Sequence, residues 1–305
     1  MTAYTAAYAG VAVPKKTIRR NPADRGTIDA VITDYYQHSS FRNLAAGSQN
    51  MRRRLLERFR KNFFDRRLAT LERRHIAGFL SNSSPAVARN WLSALHNLMK
   101  FAVAAGLIEI NPTIGIERPK LTKEREGFHA WTEAEIALYE ARHSIGSPAR
   151  LGMGLLLYTA QRRSDIIGLG PQHVRDGLIT LRQQKTGTPL VIPVLPELAA
   201  IIAASSTGHL AFLVSNSGAP YSDGGFGKLF AGWCREAGLP ANCAAHGLRK
   251  AACRRLAEAG CSAPQIAAIS GHKTLAEVQR YIDTADRTRL AQAAMLRLGT
   301  PRNKP

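Results

Sequence analysis

His246 and Arg249 lie three residues apart in a segment with a predicted buried stripe of helical spacing, formed by Leu248, Ala252, Leu256 and Ala259. Residues three apart share one face of a helix, so the imidazole and the guanidinium are expected to point the same way. The pair suits chemistry at a phosphate, because an imidazole can move a proton and a guanidinium can hold negative charge. Taken alone, such a pair is more often a surface contact.

A second histidine, His272, follows Ser270 and Gly271 between two helical patterns, and Tyr281 comes nine residues later. A tyrosine hydroxyl has an ordinary pKa near 10, so it is a weak nucleophile at neutral pH unless neighbouring groups activate it. The spacing places Tyr281 about two turns into the next helix. A tyrosine at such a position usually reflects packing.

Two further cations stand where predicted elements end. Arg162 follows an apolar helix predicted at Leu151–Thr159, and Lys185 lies between two β-rich runs, Leu178–Arg182 and Leu190–Val194, that predict a hairpin. By itself, a junction arginine mostly has a structural role and a turn lysine mostly faces solvent. Fixed cations can also stabilise the charge of phosphoryl transfer without a metal ion.

In order and spacing, these residues resemble the tyrosine recombinase (phage integrase) family. That family carries an arginine in a T-G-x-R-x-S-E-like stretch, a hairpin lysine, an H-x-L-R box, a G-H box and a tyrosine about nine residues after the G-H histidine. This chain has T-A-Q-R-R-S-D, Lys185, H-G-L-R, G-H-K-T and Tyr281. The resemblance extends from about residue 26 to 290. It implies a mainly α fold with a small β-hairpin or sheet (α+β), made of a helical core-binding domain and a catalytic domain.

The resemblance implies that Tyr281 attacks a DNA phosphate and forms a 3′-phosphotyrosyl link, leaving a free 5′-hydroxyl. Lys185 would protonate the leaving 5′-oxygen, and His246 would act as acid or base near the tyrosine. One departure from the family's pattern is Lys250, which follows H-G-L-R where a histidine is common. It adds a positive charge beside the site.

The phosphate itself would be held, by the same resemblance, by Arg162 and Arg249 on its non-bridging oxygens and by His272. No metal and no other cofactor is expected. ATP is not needed either, because the phosphotyrosyl bond retains the energy of the broken phosphodiester. Two departures lie beside these residues, Ala160 where the family often has glycine and Asp165 in place of glutamate. Neither removes a catalytic group.

Amphipathic patterns before residue 115 predict a small all-helical domain. Its clearest helix has Ser84 as a possible cap and an apolar stripe of Val87, Trp91, Leu95, Leu98 and Ala102. A segment rich in charges of both signs follows and predicts a linker. The predicted organisation is a basic tail at 1–25, a helical DNA-binding domain at 26–115, a linker at 116–130, a catalytic domain at 131–288 and a C-terminal tail at 289–305.

The net charge predicts a polyanionic partner. The chain has 42 Lys plus Arg against 22 Asp plus Glu, a net charge of +20, which favours double-stranded DNA. Within the helical domain, one pattern carries a dense group of arginines. The candidate DNA contacts are Arg52, Arg53, Arg54 and Arg58.

Composition excludes several other classes of protein. The apolar stretches are too short for a membrane span, the N-terminus lacks the pattern of a secretory signal, and the four cysteines form no CxxC pair. These features predict a cytoplasmic protein without a disulfide framework or zinc site. The 25 residues before the helical domain are expected to be too few for the separate arm-binding domain of some phage integrases.

Recombination exchanges four strands, and each protomer's tyrosine cuts one, so the predicted assembly is a homotetramer on paired specific DNA sites. An apolar stripe near the C-terminus is expected to dock on a neighbouring protomer, although it could also fold back on its own domain. Its residues are Leu290, Ala294, Met295 and Leu298.

Two alternative functions remain open from the sequence. A type IB topoisomerase-like enzyme shares the tyrosine chemistry but relaxes supercoils as a monomer. A catalytically inactive DNA-binding regulator would share the fold alone, and the intact set of six residues argues against it.

Overall fold

The computed structural model describes residues 26–63, 66–120, 128–215, 217–283, 291, 292, 295 and 296. These residues form a mainly helical protein with one small antiparallel sheet, which confirms the predicted fold class. The chain divides between Arg125 and Glu126 into two compact units. The predicted tail at 1–25 lies outside the described residues, as does most of the tail at 289–305.

Helices of 4 to 20 residues build the N-terminal unit around one apolar core. Thr27 caps the first of them by accepting a hydrogen bond from the backbone of Ala30. The predicted stripe around Trp91 is largely buried, but Val87 is exposed and does not belong to it. The elements are α1 (Ile28–Gln37), α2 (Ser39–Arg42), α3 (Ala46–Phe63), a 3₁₀ turn (Leu68–Thr70), α4 (Arg73–Ser81) and α5 (Pro85–Ala104).

The C-terminal unit opens with the predicted capping box of Thr132 and Glu135. Two of its helices, α9 and α10, were not predicted. The helices are α6 (Glu133–Arg142), α7 (Pro148–Thr159), α8 (Arg163–Ile166), a 3₁₀ turn (Pro171–His173), α9 (Pro196–Ala204), α10 (Asp223–Glu236), α11 (Ala245–Glu258), α12 (Ala263–Ser270) and α13 (Leu275–Asp283).

Helices α7 and α11 pack together at the centre of this unit. From Leu151 to Leu157 every residue of α7 is buried, as expected of a helix that is apolar on all sides. The buried part of α11 is wider than the predicted stripe, because Ala251 and Cys253 are also buried, whereas Ala259 is exposed. A charged side chain on a helix as buried as α11 is tolerated only if other groups form hydrogen bonds or ion pairs with it.

The sheet has the strand order β1 (Val174–Arg175), β2 (Leu178–Arg182), β3 (Pro189–Pro193). Strands β2 and β3 form the predicted hairpin, with Ile179 opposite Ile192 and Leu181 opposite Leu190. These four side chains face the core, and burial alternates along both strands. The alternation continues one step past β2, so the side chain of Gln183 also turns inward. The hairpin therefore anchors in the core and presents its connecting loop outward.

Among the described helices, none combines the length and the apolar character that crossing a membrane requires.

Candidate active site

Arg249 is the most deeply buried charged group of the site, with 1% of its surface exposed. Its Nη1 donates to the carbonyl oxygen of Ala160 at 2.6 Å, and its Nη2 lies 3.1 Å from Nε2 of His272. Burial, followed by the nearby charge of Arg162, lowers the pKa of Arg249. Two of the predicted residues, Arg249 and His272, are thus in direct contact.

The hydrogen bonds of His272 fix its tautomer. A guanidinium has no acceptor, so Nε2 of His272 must carry a lone pair towards Arg249. Its Nδ1 then holds the proton and donates it to Oγ of Ser270, 2.6 Å away, while that hydroxyl donates to the carbonyl of Ile266, also at 2.6 Å. Burial and the charge of Arg249 lower the pKa of His272 to about 4. The imidazole is therefore neutral and accepts a hydrogen bond from Arg249.

Tyr281 stands on α13 with its ring centroid 5.6 Å from that of His272. Its side chain is half-buried. Burial and the thiol of Cys253 raise the pKa of the phenol, against the lowering effect of Arg249. The hydroxyl is therefore protonated at neutral pH and needs a base before it can act as a nucleophile.

Arg162 occupies the N-cap position of α8, just after the turn that ends α7. Its Nη1 donates to Oε1 of Gln183 at 2.9 Å and lies 3.9 Å from Oδ2 of Asp165. The other carboxylate oxygen of Asp165 accepts from the backbone N–H of Gln184 at 2.8 Å. The turn itself includes Ala160 in the left-handed conformation, with φ 54°, which explains why glycine is favoured there. Asp165 thus links the arginine to the base of the hairpin loop.

Lys185 lies in the β2–β3 loop and its side chain is exposed. The loop is closed by two backbone hydrogen bonds, from Gln183 to the carbonyl of Thr188 at 2.9 Å and from Gly187 to the carbonyl of Gln183 at 2.8 Å. The lysine charge contributes to lowering the pKa of His246. The loop therefore brings Lys185 within electrostatic reach of the other predicted residues.

His246 is in the first turn of α11, where its ring makes an edge contact with Phe128 at 4.8 Å between centroids. Burial, then the charges of Arg249 and other cations, lower its pKa to about 4. The helix approaches the segment before α6 closely, since a Cβ at Gly247 would lie 2.3 Å from the carbonyl oxygen of His129. Glycine is thus required beside His246.

The arginines predicted to bind DNA differ in exposure on α3. Arg52 is half-buried and donates to the hydroxyl of Tyr35 at 3.0 Å. Arg53 covers the ring of Tyr36 at 4.5 Å. Arg54 and Arg58 are exposed, and within the described residues neither forms an ion pair. These last two cations are the ones most available to a partner.

One cluster of possible metal ligands occurs among the described residues, formed by His129, Glu135 and Cys243, whose donor atoms lie within 4.8 Å of one another. The carboxylate of Glu135 already accepts hydrogen bonds from the backbone and hydroxyl of Thr132 and contacts His129 at 2.8 Å. Burial and the same carboxylate raise the pKa of the Cys243 thiol to about 12. The role of Glu135 in capping α6 therefore explains why these donor atoms lie close together.

Sequence reasoning missed two buried glutamines, Gln161 and Gln183, which connect the elements around Arg162. The sequence did contain a signal for Gln183, because the alternation of inward and outward side chains along β2 continues to this residue. Gln161 had no such signal: it lies in a turn whose course depends on tertiary contacts with Ile269.

Comparisons with known proteins agree with this fold. The sequence profile of the phage integrase family matches residues 132–288. The integrase of Enterobacteria phage 434 is 28% identical over 118 residues, which are 39% of this chain and 33% of the phage protein. The matched region therefore spans about a third of that relative's length.

Two solved structures share the fold over most of the chain. A fragment of lambda integrase, crystallised as a dimer bound to a COC′ core site, has a TM-score of 0.73 at 22% identity and covers 86% of this chain and 97% of its own. A lambda integrase tetramer bound to a Holliday junction has a TM-score of 0.70 at 22% identity, covering 90% and 86% respectively.

Proposed function

The chain belongs to the phage integrase family, and we propose that it is a site-specific DNA recombinase that cuts and rejoins DNA through a 3′-phosphotyrosyl intermediate. The observation that carries the proposal is the environment of Arg249. A buried guanidinium reaches both the α7 turn and His272, with Tyr281 beside that histidine. A fixed cation next to a nucleophile is what transfer of a phosphoryl group requires.

In the cleavage step, the oxygen of Tyr281 attacks phosphorus and the bond from phosphorus to the 5′-oxygen breaks. The phenol proton passes to His246, which is neutral and can accept it. Lys185 gives a proton to the departing 5′-oxygen. The reverse sequence, with a different 5′-hydroxyl, rejoins the strand.

The phosphate oxygens are held by Arg162 and Arg249. Entry of a phosphate puts negative charge beside His272, which raises the pKa of that histidine and favours a proton on Nε2. His272 then becomes a donor to the phosphate in place of an acceptor from Arg249. The site is thus rearranged by its substrate.

Outside the active site, the exposed arginines Arg54 and Arg58 of the N-terminal unit contact the DNA backbone. Four protomers assemble on two paired sites, because one tyrosine cuts one strand and recombination exchanges four. The lambda integrase tetramer on a Holliday junction supports this arrangement by similarity of fold. In the C-terminal tail, Met295 is 66% exposed and available to dock on a neighbour, while Leu290, Ala294 and Leu298 lie outside the described residues.

The test uses a library of nicked duplexes with a randomised core, in which the cut fragment diffuses away and traps the covalent adduct. The full chain is incubated with the library in EDTA and analysed on denaturing gels. Wild type is expected to form an adduct whose DNA shares one consensus sequence. Tyr281→Phe keeps the ring, binds the same duplex and forms no adduct. An adduct in this variant would contradict the assignment of the nucleophile.

The same experiment separates the alternatives. Adducts without sequence preference, together with relaxation of any supercoiled plasmid, would identify a type IB topoisomerase-like enzyme. Binding to a consensus sequence without an adduct in wild type would identify an inactive regulator. Adduct formation that disappears in EDTA would contradict the mechanism, which relies on side-chain cations.

A further inference from the structure

Beyond the residues of the reaction itself, we propose that Gln183 is a positioning residue that holds Arg162, the Lys185 loop and the turn before His272 in register. The inference rests on the proposed recombinase function. Gln183 immediately follows β2, and its side chain is 1% exposed. It therefore acts through its protein contacts.

The carboxamide of Gln183 uses its full hydrogen-bonding capacity. Its Oε1 accepts from Nη1 of Arg162 at 2.9 Å and from Oγ1 of Thr186 at 2.7 Å. Its Nε2 donates to Oε1 of Gln161 at 2.7 Å and to the carbonyl of Ser270 at 2.8 Å. A primary amide has two acceptor sites and two N–H groups, so all four are satisfied.

These partners also fix which way the amide faces. The guanidinium of Arg162 can only donate, so it requires the oxygen of Gln183. The carbonyl of Ser270 can only accept, so it requires the nitrogen. A carboxylate at this position would leave the Ser270 carbonyl facing a second acceptor. The site is therefore specific for a neutral amide of this length.

On the hairpin side, Gln183 fixes the loop that carries Lys185. The hydroxyl of Thr186, the next residue after the lysine, is bound to the Gln183 side chain, while Gly187 and Thr188 are bound to its backbone. The loop is thus tied to a buried point two residues before the lysine. After loss of this bond, the loop keeps its backbone hydrogen bonds and the bond from Nη1 of Arg182 to the carbonyl of Gly187 at 2.7 Å, but it is no longer tied to the buried side chain.

On the opposite side, Gln183 fixes the turn that leads to His272. Its amide holds the carbonyl of Ser270, whose hydroxyl accepts from Nδ1 of His272. Gly271 adopts φ 70°, and a Cβ there would lie 2.5 Å from Nε2 of Gln183. The glycine of the G-H box is therefore needed for close contact with this glutamine as well as for the turn.

The consequence for catalysis is geometric. A general acid must lie within hydrogen-bond reach of the leaving oxygen, and a misplacement of 1 Å can slow a reaction about 10²-fold. Gln183→Met keeps the length of the side chain but removes its hydrogen bonds. We expect this variant to cleave the selected duplex about 10²-fold more slowly than wild type at saturating DNA.

The experiment compares that duplex with one in which sulfur replaces the bridging 5′-oxygen. A thiol has a pKa near 8.5, far below that of an alcohol, so the sulfur leaves without a proton from Lys185. The decrease in cleavage rate caused by Gln183→Met is expected to be smaller on the sulfur substrate than on the oxygen substrate. The decrease that remains on the sulfur substrate reflects the displaced Arg162. The matched control is Gln184→Met, an exposed neighbour expected to cleave like wild type. If Gln183→Met lowered the cleavage rate equally on both substrates, or did not lower it on the oxygen substrate, the proposal would be overturned.

Thr186→Val removes the bond between the loop and Gln183, together with the hydrogen bond at 3.1 Å that the Thr186 hydroxyl accepts from Thr188 within the loop. It keeps the test valid if Gln183→Met does not fold. This variant is expected to cleave the oxygen substrate more slowly than wild type does, but to cleave the sulfur substrate almost as fast as wild type. Thr186→Val with wild-type rates would refute the role of this contact.

A second measurement separates the positioning role from the proposed function. Hydrogen exchange at the amide of Gly187, in the free protein, is expected to be faster in Gln183→Met or Thr186→Val than in Gln184→Met. Unchanged exchange in both variants would overturn the positioning role without reference to DNA. Faster exchange, with no adduct even in wild type, would leave the positioning role intact and refute the recombinase function.

Discussion

The arginines of helix α3 and the arginines around α11 carry the same charge but differ in how they are held. Arg54 and Arg58 are exposed, so each is hydrated before DNA arrives. Arg249 is buried and already oriented by two protein groups. A hydrated surface cation contributes salt-dependent affinity, whereas a preorganised cation contributes to the stabilisation of a transition state. Charge alone therefore does not tell binding residues from catalytic ones.

The largest effect is expected from the buried cation. Arg249→Ala should lower single-turnover cleavage by about 10²–10³-fold at saturating DNA, because one preorganised donor is lost. Arg249→Lys should not restore the rate, since a lysine lacks the fork that reaches both Ala160 and His272. Arg175→Ala, which changes a side chain that is 92% exposed, is the control and should cleave normally. A comparable decrease in the cleavage rate of Arg175→Ala would remove the distinction between the exposed and the buried arginines.

The exposed pair should change affinity and leave chemistry untouched. In the double variant Arg54→Ala and Arg58→Ala, the dependence of log binding constant on log salt should become less steep by about 2, since each phosphate contact contributes about 0.9. The cleavage rate at saturating DNA should equal that of wild type. Titrations at several salt concentrations measure the slope, and an unchanged slope would show that these arginines do not meet phosphate.

The histidines around Arg249 should give the free protein a characteristic pH dependence. Both His246 and His272 have a pKa lowered to about 4, against about 6.5 in an unfolded chain. Between these values the unfolded state binds more protons, so the free energy of unfolding falls as the pH is lowered from about 6.5 towards 4.

Denaturant titrations at pH 7, 6 and 5 measure this fall. The double variant His246→Asn and His272→Asn should show a shallower dependence on pH in that range. If the free energy of unfolding depended on pH in the same way in wild type and in the double variant, the assignment of this dependence to the two histidines would be contradicted.

The smallest effect is expected at the turn that orients the carbonyl bound by Arg249. Ala160→Gly relieves a left-handed alanine, worth about 1–2 kcal/mol, but adds about 0.5–1 kcal/mol of chain entropy and removes a buried methyl worth about 0.8 kcal/mol. The net change in stability should stay within about 1 kcal/mol. Ala160→Val should be clearly more destabilising in the same denaturant titration, because a branched side chain fits φ 54° poorly.

The sequence predicted the elements whose signals are local. The hairpin predicted from Leu178–Arg182 and Leu190–Val194, the α7 helix and the Thr132 cap have clear patterns, and all are present. Helices α9 and α10 escaped prediction: α9 is short and almost wholly apolar, and α10 begins with three glycines in its first five residues. Periodicity is weak in α9. In α10 the buried residues Phe226, Phe230 and Cys234 are spaced four apart, so this helix did carry a periodic signal, which the glycines at its start obscured.

For the candidate site, residue types and spacing indicated which side chains could do chemistry, and a family resemblance supplied their roles. Neither indicated how the side chains are held. The bond from Arg249 to Ala160 joins positions 89 residues apart, and the bond from Gln183 to Ser270 joins positions 87 apart. Such contacts depend on the packed fold, so a single sequence does not reveal them.

The hydrogen bond between Arg249 and His272 has a consequence for selectivity. Because one N–H of the guanidinium is already bound to the imidazole, an anion that takes this N–H must replace the imidazole there, and this offsets part of what the new contact contributes. Free phosphate in solution gains little from such an exchange. A phosphate presented by a duplex that is already bound elsewhere arrives at a high effective concentration. The hydrogen bond thus disfavours small anions relative to the one phosphate that the rest of the complex delivers.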